Sequence, residues 1–249
     1  MKLLISAILI FLFSFNNVTA QVVDTTVKYI WKNEETKFTA AIEINGLQSK
    51  KNNSIIYFLK EVDTVYNFHS DSLFEAFTNN SLLNCIIVKI SFYNLGDSIS
   101  EKKIKLFSDE FCNKIVPDFL QKFKLPPTAN LIISGINNLA QVALYSTLKN
   151  YKKINKTALF LNSNISQSLL NIFNNEDYQH LFGKLFIYVK HENNIESFTD
   201  SLAVKLALAS SGVIYKYDDF ESRLPVNIFF DAYKWLIAEG NNYIIKTND

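Results

Sequence analysis

The 249-residue chain carries 25 Lys and Arg against 24 Asp and Glu, a net charge of +1, with 48% hydrophobic and 14% aromatic residues. This balance describes a packed globular domain and speaks against a nucleic-acid partner, whose recognition needs a concentrated basic face. The small lysine clusters, Lys102, Lys103 and Lys105 and then Lys149, Lys152 and Lys153, read as solvated surface.

Residues 1–20 have the layout of a cleavable export signal. Lys2 precedes an apolar run from Leu3 to Phe13 broken only by Ser6, and Val18-Thr19-Ala20 stand before Gln21. The run is shorter than the ~20 residues a membrane span requires, and no later segment is long and apolar enough to cross. No cysteine follows it for lipid attachment. The expected organisation is a signal over 1–20 and one domain over 21–249, secreted or periplasmic.

Val27 to Trp31 and Lys37 to Ile44 read as two strands joined by the polar Asn33-Glu34-Glu35 turn, an antiparallel hairpin. Short, almost wholly apolar runs follow at Ile55 to Leu59, Cys85 to Val88, Leu131 to Ile133, Ala158 to Leu161 and Leu185 to Val189. Runs without alternation suit strands covered on both faces, as in a parallel sheet.

Helical patterns lie between them. Phe111, Ile115, Phe119 and Phe123 recur every fourth residue, as do Phe198, Leu202 and Leu206 ahead of a stop at Gly212. Pro225 suits a first helical turn, and Val226, Phe229, Tyr233 and Leu236 continue as an apolar stripe. Strands alternating with helices imply right-handed crossovers and an α/β fold. The expectation is a doubly wound, mostly parallel sheet with an N-terminal antiparallel hairpin and helices on both faces.

Cys85 falls in a core strand and Cys112 on a helix; an exported domain can bridge them, and two buried free thiols fit equally. His69, His180 and His191 are scattered without metal-ligand spacing, so neither a metal nor a cofactor is expected.

The stretch LIISGINNLAQVALY joins an apolar strand, a glycine and a helix start. This is the setting of G-x-S-x-G, the turn that exposes a nucleophilic serine, although Gly and Asn also suit an ordinary strand-to-helix turn. Four stretches in order, IIYFLKEVD, DEFCNKIVPDFLQKF, LIISGINNLAQVALY and YDDFESRLP, together with YVKHENN, resemble an esterase family of the α/β-hydrolase superfamily, the one that includes enterochelin-esterase-like proteins. The likeness runs from Ile55 to the final helix, and no single motif is complete.

In that register Lys60-Glu61 stand where the family has Asp-Gly, Gly135 keeps the first elbow glycine, and Ala143-Leu144-Tyr145 keep the helix signature. Asn137 takes the nucleophile's place, followed by Asn138, with Leu139 and Ala140 replacing a glycine pair. The resemblance implies Glu192 at the acid position and Arg223 at the base position, next to the retained Glu221-Ser222. Only Glu192 is chemically competent for its role, and a solvated loop carboxylate is an equal reading of it. Arg223 reads also as a surface residue or a partner of Glu221.

An asparagine amide has no hydroxyl for a base to activate, and a guanidinium stays protonated and cannot be that base. Ser134 lies three residues ahead of the elbow, where a strand side chain points elsewhere. Leu139 implies that the turn has relaxed or that a neighbour has shrunk, since glycine is usual there for close packing; Asn137 suits the positive φ of a retained bend.

Three functions fit. One is an exported esterase-like protein without hydrolase activity, a binding or interaction module whose cleft takes a small ester, acyl or carboxylate ligand. Another is an active ester or acyl hydrolase with a displaced site. The third is an unrelated periplasmic α/β binding protein.

Overall fold

The computed structural model describes residues 27–34, 38–47, 54–61, 85–93, 99–125, 130–150, 152–161, 183–190, 212–218 and 226–238. The segment 1–20, the helix expected around 198–206, and Pro225, Glu192 and Arg223 lie outside them. Among the described residues no helix is long and apolar enough to cross a membrane.

Eight strands form one sheet: β1 (Val27–Asn33), β2 (Phe38–Asn45), β3 (Ser54–Glu61), β4 (Cys85–Phe92), β5 (Asn130–Ile136), β6 (Ile154–Leu161), β7 (Lys184–Lys190) and β8 (Val213–Asp218). Their order is β1-β2-β4-β3-β5-β6-β7-β8. β1 pairs antiparallel with β2 and β2 with β4, while the remaining pairs are parallel. The doubly wound sheet and the hairpin at one edge are those expected from the sequence. Its alternation follows its environment: β2 alternates fully and partly buried residues, whereas β4 is buried along its whole length.

The helices divide between the faces. On one face lie α1 (Glu101–Glu110), a π turn (Phe111–Ile115), α2 (Val116–Lys122) and α3 (Asn138–Lys149), whose Ile104, Phe111, Phe119 and Leu144 pack on Ile55, Tyr57 and Val88. On the other lies α4 (Val226–Ile237), which lays Phe229, Tyr233 and Leu236 on Ile56, Phe58 and Phe160.

The every-fourth spacing of Phe111, Ile115 and Phe119 has a physical counterpart in the π turn. A residue every four slips around a 3.6-residue helix, and the wider turn restores all three to the buried face. The turn also precedes Pro117, which has no amide proton to give a preceding carbonyl and would clash with a regular turn. The buried Glu110 carboxylate at this junction accepts from Asn33 Nδ2 at 3.0 and 3.1 Å and pairs with Lys114 at 3.0 Å, tying the hairpin to the helix. Trp31 Nε1 donates to Asp118 at 3.2 Å beside it.

At the opposite end Lys184 is buried, and its ammonium donates to the backbone carbonyls of Trp235 and Ala238 at 3.0 and 2.6 Å. A strand residue thereby satisfies the carbonyls that end α4 and places a cation at the negative end of its dipole. Lys184→Met is expected to lower stability by about 1–3 kcal/mol, as charged hydrogen bonds of this kind contribute. Urea unfolding checks it, and an unchanged midpoint would contradict this account.

The structure decides between the two readings of the cysteines. Cys112 packs on the α3 face and Cys85 on the α4 face, so the sheet separates two free thiols. Burial pushes Cys85 up to about 12 and Cys112 up to about 11, the latter partly offset by hydrogen bonding with Ser146 and Ser108, against an ordinary 9.0. The unfolded chain gives up these protons first. The stabilisation from the neutral thiols is therefore complete below pH 9.0 and is lost as pH rises through about 11 to 12. Both thiols should resist alkylation in the native chain and react after denaturation, and a Cys85→Ala/Cys112→Ala chain should lose less stability across that alkaline window.

Candidate functional site

β5 delivers the GINNL turn to the carboxyl end of the sheet. The backbone amide of Asn137 donates to the Phe160 carbonyl of β6 at 2.9 Å, still in ladder fashion. There the chain reverses with φ 51° and ψ −120°, and α3 begins at the next residue. The Asn137 carbonyl receives the Ala140 amide at 3.0 Å, which closes the first turn.

Positive φ at Asn137 agrees with the sequence reading. The ψ value does not belong to the left-handed helical region near +47°, which Asn tolerates, so the residue sits in a sparsely populated conformation costing about 1–3 kcal/mol. Nor does its side chain cap the helix, the usual reason for Asn at this position. The bend is held by its surroundings.

What holds it is the approach of α3 to Gly135. A Cβ on Gly135 would overlap the Leu139 carbonyl and stand 2.7 Å from the Ala140 amide nitrogen. Leu139 itself is fully buried in the α3-side core. Of the two ways to accommodate a leucine there, relaxation of the turn is not the one used: the helix still passes closely, and the residue that must lack a side chain is Gly135.

Asn137 and Asn138 are half-buried at the sheet end. Asn138 Nδ2 donates to Glu61 Oε1 at 3.3 Å, joining the first residue of α3 to the last of β3. Sequence reasoning placed Glu61 in a position of the family pattern without pairing it to Asn138. Two residues 77 apart in the chain meet only because β3 and β5 are adjacent. In serine esterases of this architecture the backbone amide after the nucleophile and one from the loop after β3 receive the oxyanion. Here a carboxylate stands between those two positions.

Ser134 is fully buried and points to the α4 face. Its hydroxyl shares a 2.6 Å hydrogen bond with the Tyr233 hydroxyl and donates to the Tyr57 carbonyl at 3.4 Å. Burial pushes Tyr233 far above the ordinary phenol range, so it is no base for that serine. Glu192 falls two residues past the end of β7 and Arg223 five past the end of β8 in the chain, both outside the described residues. Among the described residues no cluster of His, Cys, Asp and Glu is arranged to hold a metal.

No family model matches the chain, and no curated protein matches it in sequence. Solved structures do match its fold. A ferulic acid esterase aligns at TM-score 0.59 and 10% identity over 86% of this chain and 96% of its own. The siderophore hydrolase EstB from Aspergillus nidulans aligns at 0.58 and 12% over 88% and 97%. An arylesterase aligns at 0.60 and 11% over 87% and 86%. The chain therefore has the α/β-hydrolase-like fold of esterases.

Gly135→Ala is expected to be severely destabilising, by about 3 kcal/mol or more, because the clash is with backbone that cannot rotate away. Asn137→Gly should instead gain roughly 1 kcal/mol, relief of the bend exceeding the added freedom of the unfolded chain. Denaturant midpoints of the two variants check both signs.

Proposed function

We propose that this chain is an exported esterase-like pseudoenzyme: a secreted or periplasmic protein that keeps the scaffold of a serine esterase, carries out no acyl transfer, and works as a binding or interaction module. The observation that carries the reading is Asn137 at the apex of the bend. The strained turn that presents a nucleophile in esterases presents an amide here.

An amide nitrogen shares its lone pair with its carbonyl and has no proton whose removal makes a nucleophile. The degenerate triad is Asn137, Glu192 and Arg223, with the elbow formed by Gly135, Asn138 and Leu139. Arg223 in the base position would stay protonated through any ordinary pH and cannot accept the proton that attack requires. Glu61 adds an independent argument. Its carboxylate beside Asn138 opposes any negative charge developing at the adjoining amide, where an esterase needs stabilisation worth several kcal/mol. Ser134, the nearest hydroxyl in the chain, is committed to Tyr233 in the core, which weighs against a displaced nucleophile there.

The same features select the ligand. The Asn137 amide offers a donor and an acceptor to an ester or acyl carbonyl, while the Glu61 charge disfavours a free carboxylate at that end of the cleft.

The test is covalent and kinetic. The full chain is expected to remain unlabelled by a fluorophosphonate probe and to leave p-nitrophenyl acetate hydrolysis at the background rate. Asn137→Ser is expected to do the same, because a serine without a base and facing Glu61 is not activated. Labelling of the unaltered chain, or appreciable turnover by the single variant, would establish a working site and overturn the proposal.

A further inference from the structure

The antiparallel end of the sheet carries a second site. Strand register lines up two rows on the face opposite α3. Lys28, Glu43 and Lys89 stand directly across from one another on β1, β2 and β4. One step along, Ile30, Ala41, Ser91 and Lys60 stand across β1, β2, β4 and β3. The middle members of the second row, Ala41 and Ser91, are small, while the outer members are long. The result is a groove of about 540 Å³ walled by Lys60 and Tyr93 at one end and Ile30 at the other. This is the size of a small-molecule site.

Its charge is unbalanced. Glu43 bridges two ammonium groups, Lys28 at 3.3 Å through one oxygen and Lys89 at 3.2 Å through the other. Lys60 brings a third to the same lining, so three cations face one anion. Lys89 is the informative member. Only 7% of its side chain is exposed, so its ammonium is largely stripped of water at the base of the groove. Surface lysines are strongly hydrated and avoid such a position unless anions surround them. The groove also holds apolar surface in the open: Ile30 is 52% and Tyr93 37% exposed.

The geometry points to a binding site for a small organic carboxylate with an apolar body, its charge between Lys60 and Lys89 and its body lying over Ala41 toward Ile30 and Tyr93. Lysines rather than a planar arginine fork suit a ligand held as a point charge, and the floor of Ala41 and Ser91 makes the room. The site stands apart from the Asn137 bend, from which β3 separates it, and does not depend on the pseudoenzyme reading.

Binding of 2-naphthoate to the full chain, followed by calorimetry against its neutral isostere 2-naphthamide, tests the assignment. Naphthoate is expected to bind at least about fivefold more tightly than naphthamide, and Lys60→Met to weaken it by a similar factor. Glu43→Gln should strengthen binding, since it removes the competing anion, and Ala41→Leu should abolish it by filling the floor. Lys60 is half-buried near a strand end, so its variant keeps the test open if the Ala41 variant does not fold. Equal binding of naphthoate and naphthamide, no binding of either, or indifference of naphthoate to Lys60→Met in a folded chain would overturn the assignment. Displacement of naphthoate by an equal concentration of inorganic phosphate would show that charge alone drives occupancy, and would overturn the role given to the apolar body.

Discussion

The approach of α3 to Gly135 is the constraint on which the site depends. Helix and strand come so close that position 135 accommodates no side chain, and the chain between them has a single residue in which to turn. That residue is Asn137, held with positive φ and a ψ that its side chain does nothing to favour. In an esterase such strain raises a nucleophile above the sheet. Here the same geometry persists with an amide at its apex. Packing maintains it, because Leu139, Ala140, Val142 and Ala143 are all buried between helix and sheet. The first turn of α3 cannot lift away from Gly135 without opening that core.

Polar groups inside the molecule follow a consistent division of labour. Ser134 and Tyr233 satisfy one another on the α4 face, Ser146 and Ser108 join α3 to α1 at 2.9 Å, and Thr147 and Thr157 join α3 to β6 at 2.6 Å. Each pair connects elements distant in sequence, and each would be costly to leave half made. The hydroxyls near the bend are therefore structural, which is why serine content near position 137 says little about catalysis. Among the described residues Tyr57 Oη is the exception, buried with no hydrogen-bond partner beside Phe111 and Phe119.

The antiparallel hairpin serves two purposes through its two faces. One face, with Trp31 and Asn33, is tied to the α1–α2 junction through Asp118 and the buried Glu110. The other, with Lys28, Ile30, Ala41 and Glu43, forms the lysine-lined groove. Strict alternation along β1 and β2 makes this possible, since each successive residue changes face.

The sequence by itself determined the architecture. Unbroken apolar runs can be stable only where both faces are covered, and their alternation with helical stripes leaves little besides a doubly wound sheet; the order of partial motifs also located the bend at Asn137 and its positive φ. Pairings between distant residues needed the tertiary structure. Nothing in the spacing of Glu61 and Asn138, Ser134 and Tyr233, or Lys184 and the end of α4 announces a contact, because each arises from which strands lie side by side. The same holds for the separation of Cys85 from Cys112 by the thickness of the sheet, and for the lysine row, whose members are 15 and 46 residues apart and meet only in the register of three strands. Local periodicity records what a residue must be buried against in kind; only the folded chain specifies which partner that is.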